Sequence, residues 1–341
     1  NHLLKKKIVI PQKASQIHKS DKYIGAYVKD PQVGQHKWVM SFDLNSLYPH
    51  LIMQYNISPE TLLPKTMGFD KEKSVNEMLN KQHDLTPLKP ASVTCTPNGA
   101  LFRTKTQGFL PEMMQDMYDD RTIYKKKMLD AKQKYEDTKD PKYANDVSRY
   151  HNIQMARKIS LNSAYGAIGN EWFRYYDLRI AEGITTSGQL SIRWIEKALN
   201  EYLNKLLNST GVDYVIASDT DSVYIRFDEL VSKVLSKRVD ESEDSYRLRV
   251  VEFLNTIAQE KIEPFIDKSY QALASYVNAY DQKMQMKREV IADKGIWTAK
   301  KRYILNAWDV EGVRYKEANL KIMGIEAVKS STPAPCREKI K

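Results

Sequence analysis

The stretch YVIASDTDSVYIRF, residues 214–227, decides the fold class. Two runs rich in β-branched and aromatic residues flank a short polar centre, which predicts strand, tight turn, strand, with the turn at Ser218–Asp221. Two strands joined by so short a turn must run antiparallel. Working outward, KWVMSFDL (37–44) has the β-rich composition of a strand ending beside an aspartate, and SLYPHLIMQYN (46–56) after it reads as a turn entering a helix. Strand-like composition returns from Met284 to Ile322 in MKREVI, GIWTAKKRYILNAWD and GVRYKEANLKIMG. Residues 23–28 predict a short extended segment. Residues 64–108 predict irregular structure with short strands, with a loop signal at Pro97-Asn98-Gly99.

The region between is helical. Residues 111–137 form a long run of helix formers opened by Pro111, with Met114, Met117, Tyr118, Ile123, Tyr124, Met128 and Ala131 among the apolar positions. DTKDP (137–141) breaks it, and a second helical run covers residues 143–165 before Gly166 and Gly169. Two long helices and a short polar turn predict an antiparallel helical hairpin. At about 1.5 Å per residue it would project roughly 35–40 Å, too far for an element of a compact core. Helical patterning covers residues 176–207, and a helix pair is expected over 246–279. The fold class is therefore α+β: an antiparallel sheet with packed helices, interrupted by a long antiparallel helical hairpin.

The 341 residues suit one large or two modest domains, and 42% hydrophobic content is enough to build a core. Lys and Arg total 53 against 43 Asp and Glu, a net charge of +10. Such an excess favours a polyanionic partner: nucleic acid, an anionic membrane surface or a phosphorylated substrate. The two cysteines, Cys95 and Cys336, form no Cys-x-x-Cys, and the six histidines form no pair at ligand spacing. Disulfide frameworks and structural zinc are not expected, and a reducing compartment is. No apolar run is long enough to span a bilayer, no signal peptide is recognisable, and the opening residue is Asn1, which points to a fragment or a processed chain.

Several residues could carry chemistry. Asp43 stands at a strand end, and Asp219 and Asp221 flank Thr220 in the hairpin turn. Each has an ordinary reading, since exposed strand ends and turns both favour aspartate. Brought together, they could hold hard cations, which prefer carboxylate oxygens, and two such ions stabilise the attacking and leaving oxygens of an in-line phosphoryl displacement. Arg121 and Lys125 share a helix face at i, i+4, and Lys158, Asn162 and Tyr165 share one on the returning helix. Inward-facing cations would suit a triphosphate, while a solvated lysine-rich surface is the alternative. No Walker-type glycine loop is present, and Lys300-Lys301-Arg302-Tyr303 has the basic and aromatic character that suits a nucleic-acid backbone.

Taken together, these segments resemble the family B DNA polymerases. SFDLNSLYPHLI resembles the family's first polymerase motif, RKISLNSAYGAIG the second and SDTDSVY the third, in the family's order. YIGAYV resembles the template-contacting motif before them, and AKKRY the primer-gripping motif after them. LKIMGIEAVKSSTP and NEWFRYYDLR are most similar to the replicative enzymes of large tailed bacteriophages. The resemblance runs from about residue 8 to the end.

It implies a DNA-templated DNA polymerase core, with two Mg²⁺ ions as cofactors and Mn²⁺ as a substitute. Asp43, Asp221 and Lys158 are its catalytic candidates. Asp43, the Leu44 carbonyl, Asp221 and Asp219 are its metal-ligand candidates, and Glu289 matches an acidic residue near the site. Arg121, Lys125, Lys158 and Asn162 would face the incoming dNTP, with amides of Ser46 and Leu47 on its phosphates and Tyr48 under its sugar. The ring of Tyr48 would exclude a 2′-hydroxyl, which disfavours an RNA-making reading. Tyr165 and Gly166 would pack on the nascent base pair, Tyr23 and Gly25 would touch the template, and Lys300, Lys301 and Tyr303 would hold the primer. His50 replaces the family's usual serine, with little effect expected. The implied division is a tail over 1–22, palm over 23–108 and 171–341, and fingers over 109–170, with exonuclease and thumb absent. Primer–template DNA and dNTP are the implied partners, and a chain supplying thumb or exonuclease a further one. A cytoplasmic setting is expected, that of the host cell if the chain is phage-encoded. The alternative is an incomplete nucleic-acid-binding fragment, or one chain of a split polymerase.

Overall fold

The computed structural model describes Leu3, residues 7–12 and residues 24–340. Its centre is a six-stranded antiparallel sheet in the order β5-β6-β1-β7-β8-β9. The strands are β1 (Gly34–Leu44), β5 (Val215–Asp219), β6 (Ser222–Arg226), β7 (Met286–Ala299), β8 (Arg302–Val310) and β9 (Val313–Met323). Strand alternation sends Met40, Phe42 and Leu44 of β1 into the main core, and Val39, Ser41 and Asp43 to the opposite face. That opposite face carries a second core of Tyr224, Trp297, Tyr303 and Leu305. The charged end of β1 is thus set by the same period that buries its apolar residues.

A smaller sheet, β2 (Leu62–Thr66), β4 (Ala100–Arg103) and β3 (Val93–Cys95) in that order, fills the region expected to be irregular. Short helices α2 (Ser74–Leu79) and α3 (Leu88–Ala91) accompany it. Gly99, at the loop signal, has φ of +82°, a conformation that suits glycine.

Helix α1 (Leu47–Gln54) follows β1 directly. Helices α4 (Phe109–Thr138) and α5 (Pro141–Ile168) form the expected hairpin, with 30 and 28 residues. Lys139, at φ of 56°, ends the first, and the Asp140 carboxylate accepts from the Lys142 amide to start the second behind Pro141. The buried residues of α4 stop at Ala131, so the far end stands in solvent. Helix α6 (Leu178–Leu207) contributes more buried residues than any other described helix, and is capped by Asp177 and ended by Asn208 at φ of 53°.

The helix pair expected over 246–279 is instead one continuous helical run: α8 (Glu243–Ile257), a π turn (Ala258–Ile262) and α9 (Glu263–Tyr276). Pro264 lacks an amide and its ring crowds the preceding turn; the wider π turn takes up that conflict and the helix continues. Two further short helices, α7 (Asp228–Val234) and α10 (Ala334–Ile340), were not anticipated. Cys95, buried, and Cys336, exposed, are free thiols. Among the described residues, no helix is long and apolar enough to cross a membrane.

Candidate active site

Asp43 lies opposite Ser222 of β6 and Lys287 of β7. The next amide, that of Leu44, donates to the Asp221 carbonyl at 2.8 Å. Register therefore places the carboxylate-bearing end of β1 beside the β5–β6 turn, as the two-segment reading required. In that turn Thr220 has φ of 58°, rare for a β-branched residue. It is braced by the Thr220 hydroxyl on the Asp219 carboxylate at 3.1 Å and by the Asp221 amide on the Asp219 carbonyl at 2.6 Å.

A cavity of about 320 Å³ opens here, lined by Asp43 to Tyr48, Arg121, Lys125, Lys158, Asn162, Tyr165, Thr220 and Asp221. It thus gathers most of the candidate residues singled out from the sequence, from four separate segments. Ser46 precedes α1 in a left-handed conformation, φ 48° and ψ 60°. Its hydroxyl accepts from the buried Arg121 guanidinium at 2.6 Å. Tyr48 and Tyr165 lie ring on ring, 4.4 Å between centroids. His50 is buried, with its Nδ1 3.0 Å from the Ser46 carbonyl and its ring edge-on to Tyr118; burial lowers its pKa to about 4. It acts as neutral packing beneath the cavity.

The two carboxylates are under electrostatic stress. Burial, then the charges of Asp221 and Glu289, hold the Asp43 carboxyl well above its ordinary range, against Lys321 and Lys125. Burial, then Asp219, push Asp221 up to about 6, while Lys158 acts the other way. Desolvated, mutually repelling carboxylates are the donor chemistry a hard divalent cation relieves. Among the described residues, no group of three or more His, Cys, Asp or Glu converges as a ready-made cage.

Other candidates stand at the margin. Asp219 does not line the cavity; its carboxylate is 3.3 Å from the Lys301 ammonium. Lys300 pairs with Asp30 at 3.0 Å, both exposed. Tyr303 is buried beside Trp297, and its hydroxyl meets that of Tyr224 at 2.7 Å. The carbonyl of Gly25 accepts from Gln189 at 2.5 Å. A Cβ at Gly166 would meet nothing of the chain within 4 Å, so no internal packing demands glycine there. Tyr23 lies outside the described residues.

Three participants escaped the sequence reading or were placed only loosely. Glu289 is the extra residue of a bulge in β7: Ser41 pairs with Val290 and Phe42 with Arg288. Bulges re-aim side chains, and this one sets Glu289 against Ser41 at 3.2 Å and Lys321 at 2.6 Å. Glu311 takes the Lys125 ammonium at 2.6 Å. Lys321 and Glu311 come from β9 and the β8–β9 turn, and no local pattern signals either. Glu289 and Glu311 border a second chamber of about 500 Å³ beyond Asp43.

The profile described as DNA polymerase family B matches residues 1–244. The DNA-directed DNA polymerase of Escherichia phage RB69 is 37% identical over 391 residues, covering 100% of this chain and 42% of the phage protein. That of Enterobacteria phage T4 is 36% identical over 380 residues, covering 97% and 41%. A DNA polymerase beta of African swine fever virus (isolate Tick/Malawi/Lil 20-1/1983) is 28% identical over 326 residues, covering 90% and 25%. The chain thus spans less than half the length of the curated relatives it matches.

Proposed function

The chain belongs to DNA polymerase family B, and from that membership we propose that it is the nucleotidyl-transfer core of a DNA-templated DNA polymerase. The observation that supports this most is the single cavity in which Asp43, Asp221, Arg121, Lys125 and Lys158 converge. The substrates are primer–template DNA and dNTP. By likeness to the phage relatives, the setting is the host cytoplasm during phage DNA replication.

Asp43 and Asp221, with the Leu44 carbonyl, would hold two Mg²⁺ ions, or Mn²⁺ in their place. When bound, such ions would lower the pKa of the primer 3′-hydroxyl and neutralise charge on the α-phosphate and on the departing pyrophosphate. The chain's own residues do the rest. Arg121, Lys125 and Lys158 bind the triphosphate oxygens, and the Ser46 and Leu47 amides add neutral donors. Asn162 bonds with the same nucleotide. The Tyr48 ring, supported by Tyr165, lies under the sugar and excludes a 2′-hydroxyl. Gly166 leaves room for the nascent base pair.

Asp219 orients the Lys301 ammonium, and Lys300, Lys301 and Tyr303 support the primer end. Tyr23 and Gly25 meet the template. The six-stranded sheet serves as palm and the α4–α5 hairpin as fingers, which swing inward on nucleotide binding. Single-nucleotide extension of a labelled primer, at low salt to strengthen phosphate contacts, tests this. Addition should be lost in Asp43→Ala; addition that survives it would rule out the assignment.

A further inference from the structure

Residues 27–32 belong to no strand of the sheet, yet they run along the open edge of β5. Val28 forms an isolated antiparallel bridge with Asp219. The Lys29 amide donates to the Ser218 carbonyl at 3.1 Å and the Gln32 amide to the Ile216 carbonyl at 2.8 Å. In return, the Thr220 amide donates to the Tyr27 carbonyl at 3.1 Å. This strap brackets Asp219 on both sides and supplies the acceptor for Thr220, the one residue of the turn held in a left-handed conformation.

An irregular edge segment frays unless something ties it down. The tie is Lys29, whose side chain is only 13% exposed. Its ammonium donates to the Asp213 carboxylate at 2.7 and 2.9 Å and to the Val215 carbonyl at 2.7 Å, and it pairs with Glu196 at 2.8 Å. The ammonium has three hydrogens, and its three partner groups account for them. Gln32 adds a second anchor, its Nε2 donating to the Asp213 carbonyl at 2.8 Å. A partly buried charge with two carboxylate partners is an expensive way to fill an edge, since an apolar side chain would pack there without desolvation. Its return is a fixed position for the backbone it belongs to.

We propose that Lys29 is a positioning residue for the metal-holding turn: it fixes the strap that keeps Thr220 left-handed and Asp221 beside Asp43. The inference rests on Asp221 being a metal-holding carboxylate.

Two readouts on the ligand-free chain test it: amide hydrogen exchange at Thr220, and Mn²⁺ affinity from loss of the free-ion paramagnetic resonance signal. In Lys29→Met, Thr220 exchange should rise about tenfold and Mn²⁺ affinity should fall about threefold. Lys29→Arg should restore most of both. Leu203→Val, a buried change in α6 that lowers the melting temperature without touching the strap, should leave both as in the wild type. Gln32→Ala removes the second anchor without stranding a charge and should move both readouts the same way by less, which keeps the test open should Lys29→Met fail to fold. Wild-type exchange at Thr220 in the Lys29 and Gln32 variants would overturn the proposal, as would faster exchange with unchanged Mn²⁺ affinity. A wild-type chain that binds no Mn²⁺ would overturn the reading of Asp221 and this inference with it. Normal binding by both wild type and Lys29→Met would overturn the inference alone.

Discussion

Replacing Asp221 with asparagine should make the metal-free protein more stable and remove its response to magnesium. The Asp221 carboxyl is raised from 3.8 to about 6 by burial and by Asp219. Each unit corresponds to about 1.4 kcal/mol between the two protonation states, so ionised Asp221 costs the folded chain up to about 3 kcal/mol at neutral pH. Because the folded pKa is the higher one, the sign follows directly. Below about pH 4 both states are protonated and there is no penalty; between about pH 4 and 6 the unfolded state loses its proton first and stability falls; above about pH 6 the penalty is constant. An asparagine side chain has the same shape and no charge, so Asp221→Asn should gain about 1–3 kcal/mol near pH 7, with relaxation and the coupled response of Asp43 accounting for the shortfall. For a chain of this size that is on the order of 2 °C in melting temperature per kcal/mol. The assay is thermal denaturation across pH, with and without MgCl₂. Magnesium should raise the wild-type melting temperature at about pH 7 more than at about pH 5, and should leave the variant nearly unmoved. A variant no more stable than wild type without metal, and equally stabilised by magnesium, would refute the reasoning.

Other consequences follow from the same geometry. On the proposed role of the Tyr48 ring, which lies against Tyr165, as the steric floor of the sugar, Tyr48→Ala should raise use of ribonucleotides relative to deoxynucleotides by at least about tenfold, measured as a ratio of kcat/KM values. Arg121→Met keeps the apolar length but loses a charge-assisted contact, so kcat/KM for dNTP should fall by about 10- to 100-fold. Arg288→Met leaves the buried Asp309 with only the Arg314 guanidinium at 2.9 Å and the Gly312 amide at 3.0 Å. Chemical denaturation should register a loss of about 3 kcal/mol.

The parts legible in the sequence were those set by local rules. The β5–β6 hairpin and the α4–α5 hairpin, with its break at residues 137–141, follow from period and turn chemistry. The helical break expected before residue 279 failed because a π turn absorbed Pro264, a compensation with no sequence signature. The site divides in the same way. Spacing on one face brought Arg121 with Lys125, and Lys158 with Asn162 and Tyr165, to the same cavity. The bulge that turns Glu289 toward Asp43 depends on which strand pairs with which, in what register. Lys321, Glu311 and the Lys29 anchor meet partners 32, 186 and 184 residues away, beyond any local pattern.

The most direct test of the central claim is which nucleotide the chain adds. Four primer–templates differing only in the templating base, each offered all four dNTPs singly with magnesium at low salt, should each take the complementary nucleotide, with addition abolished by Asp43→Ala. Addition of the same nucleotide on all four templates, or addition indifferent to Asp43, would contradict the account.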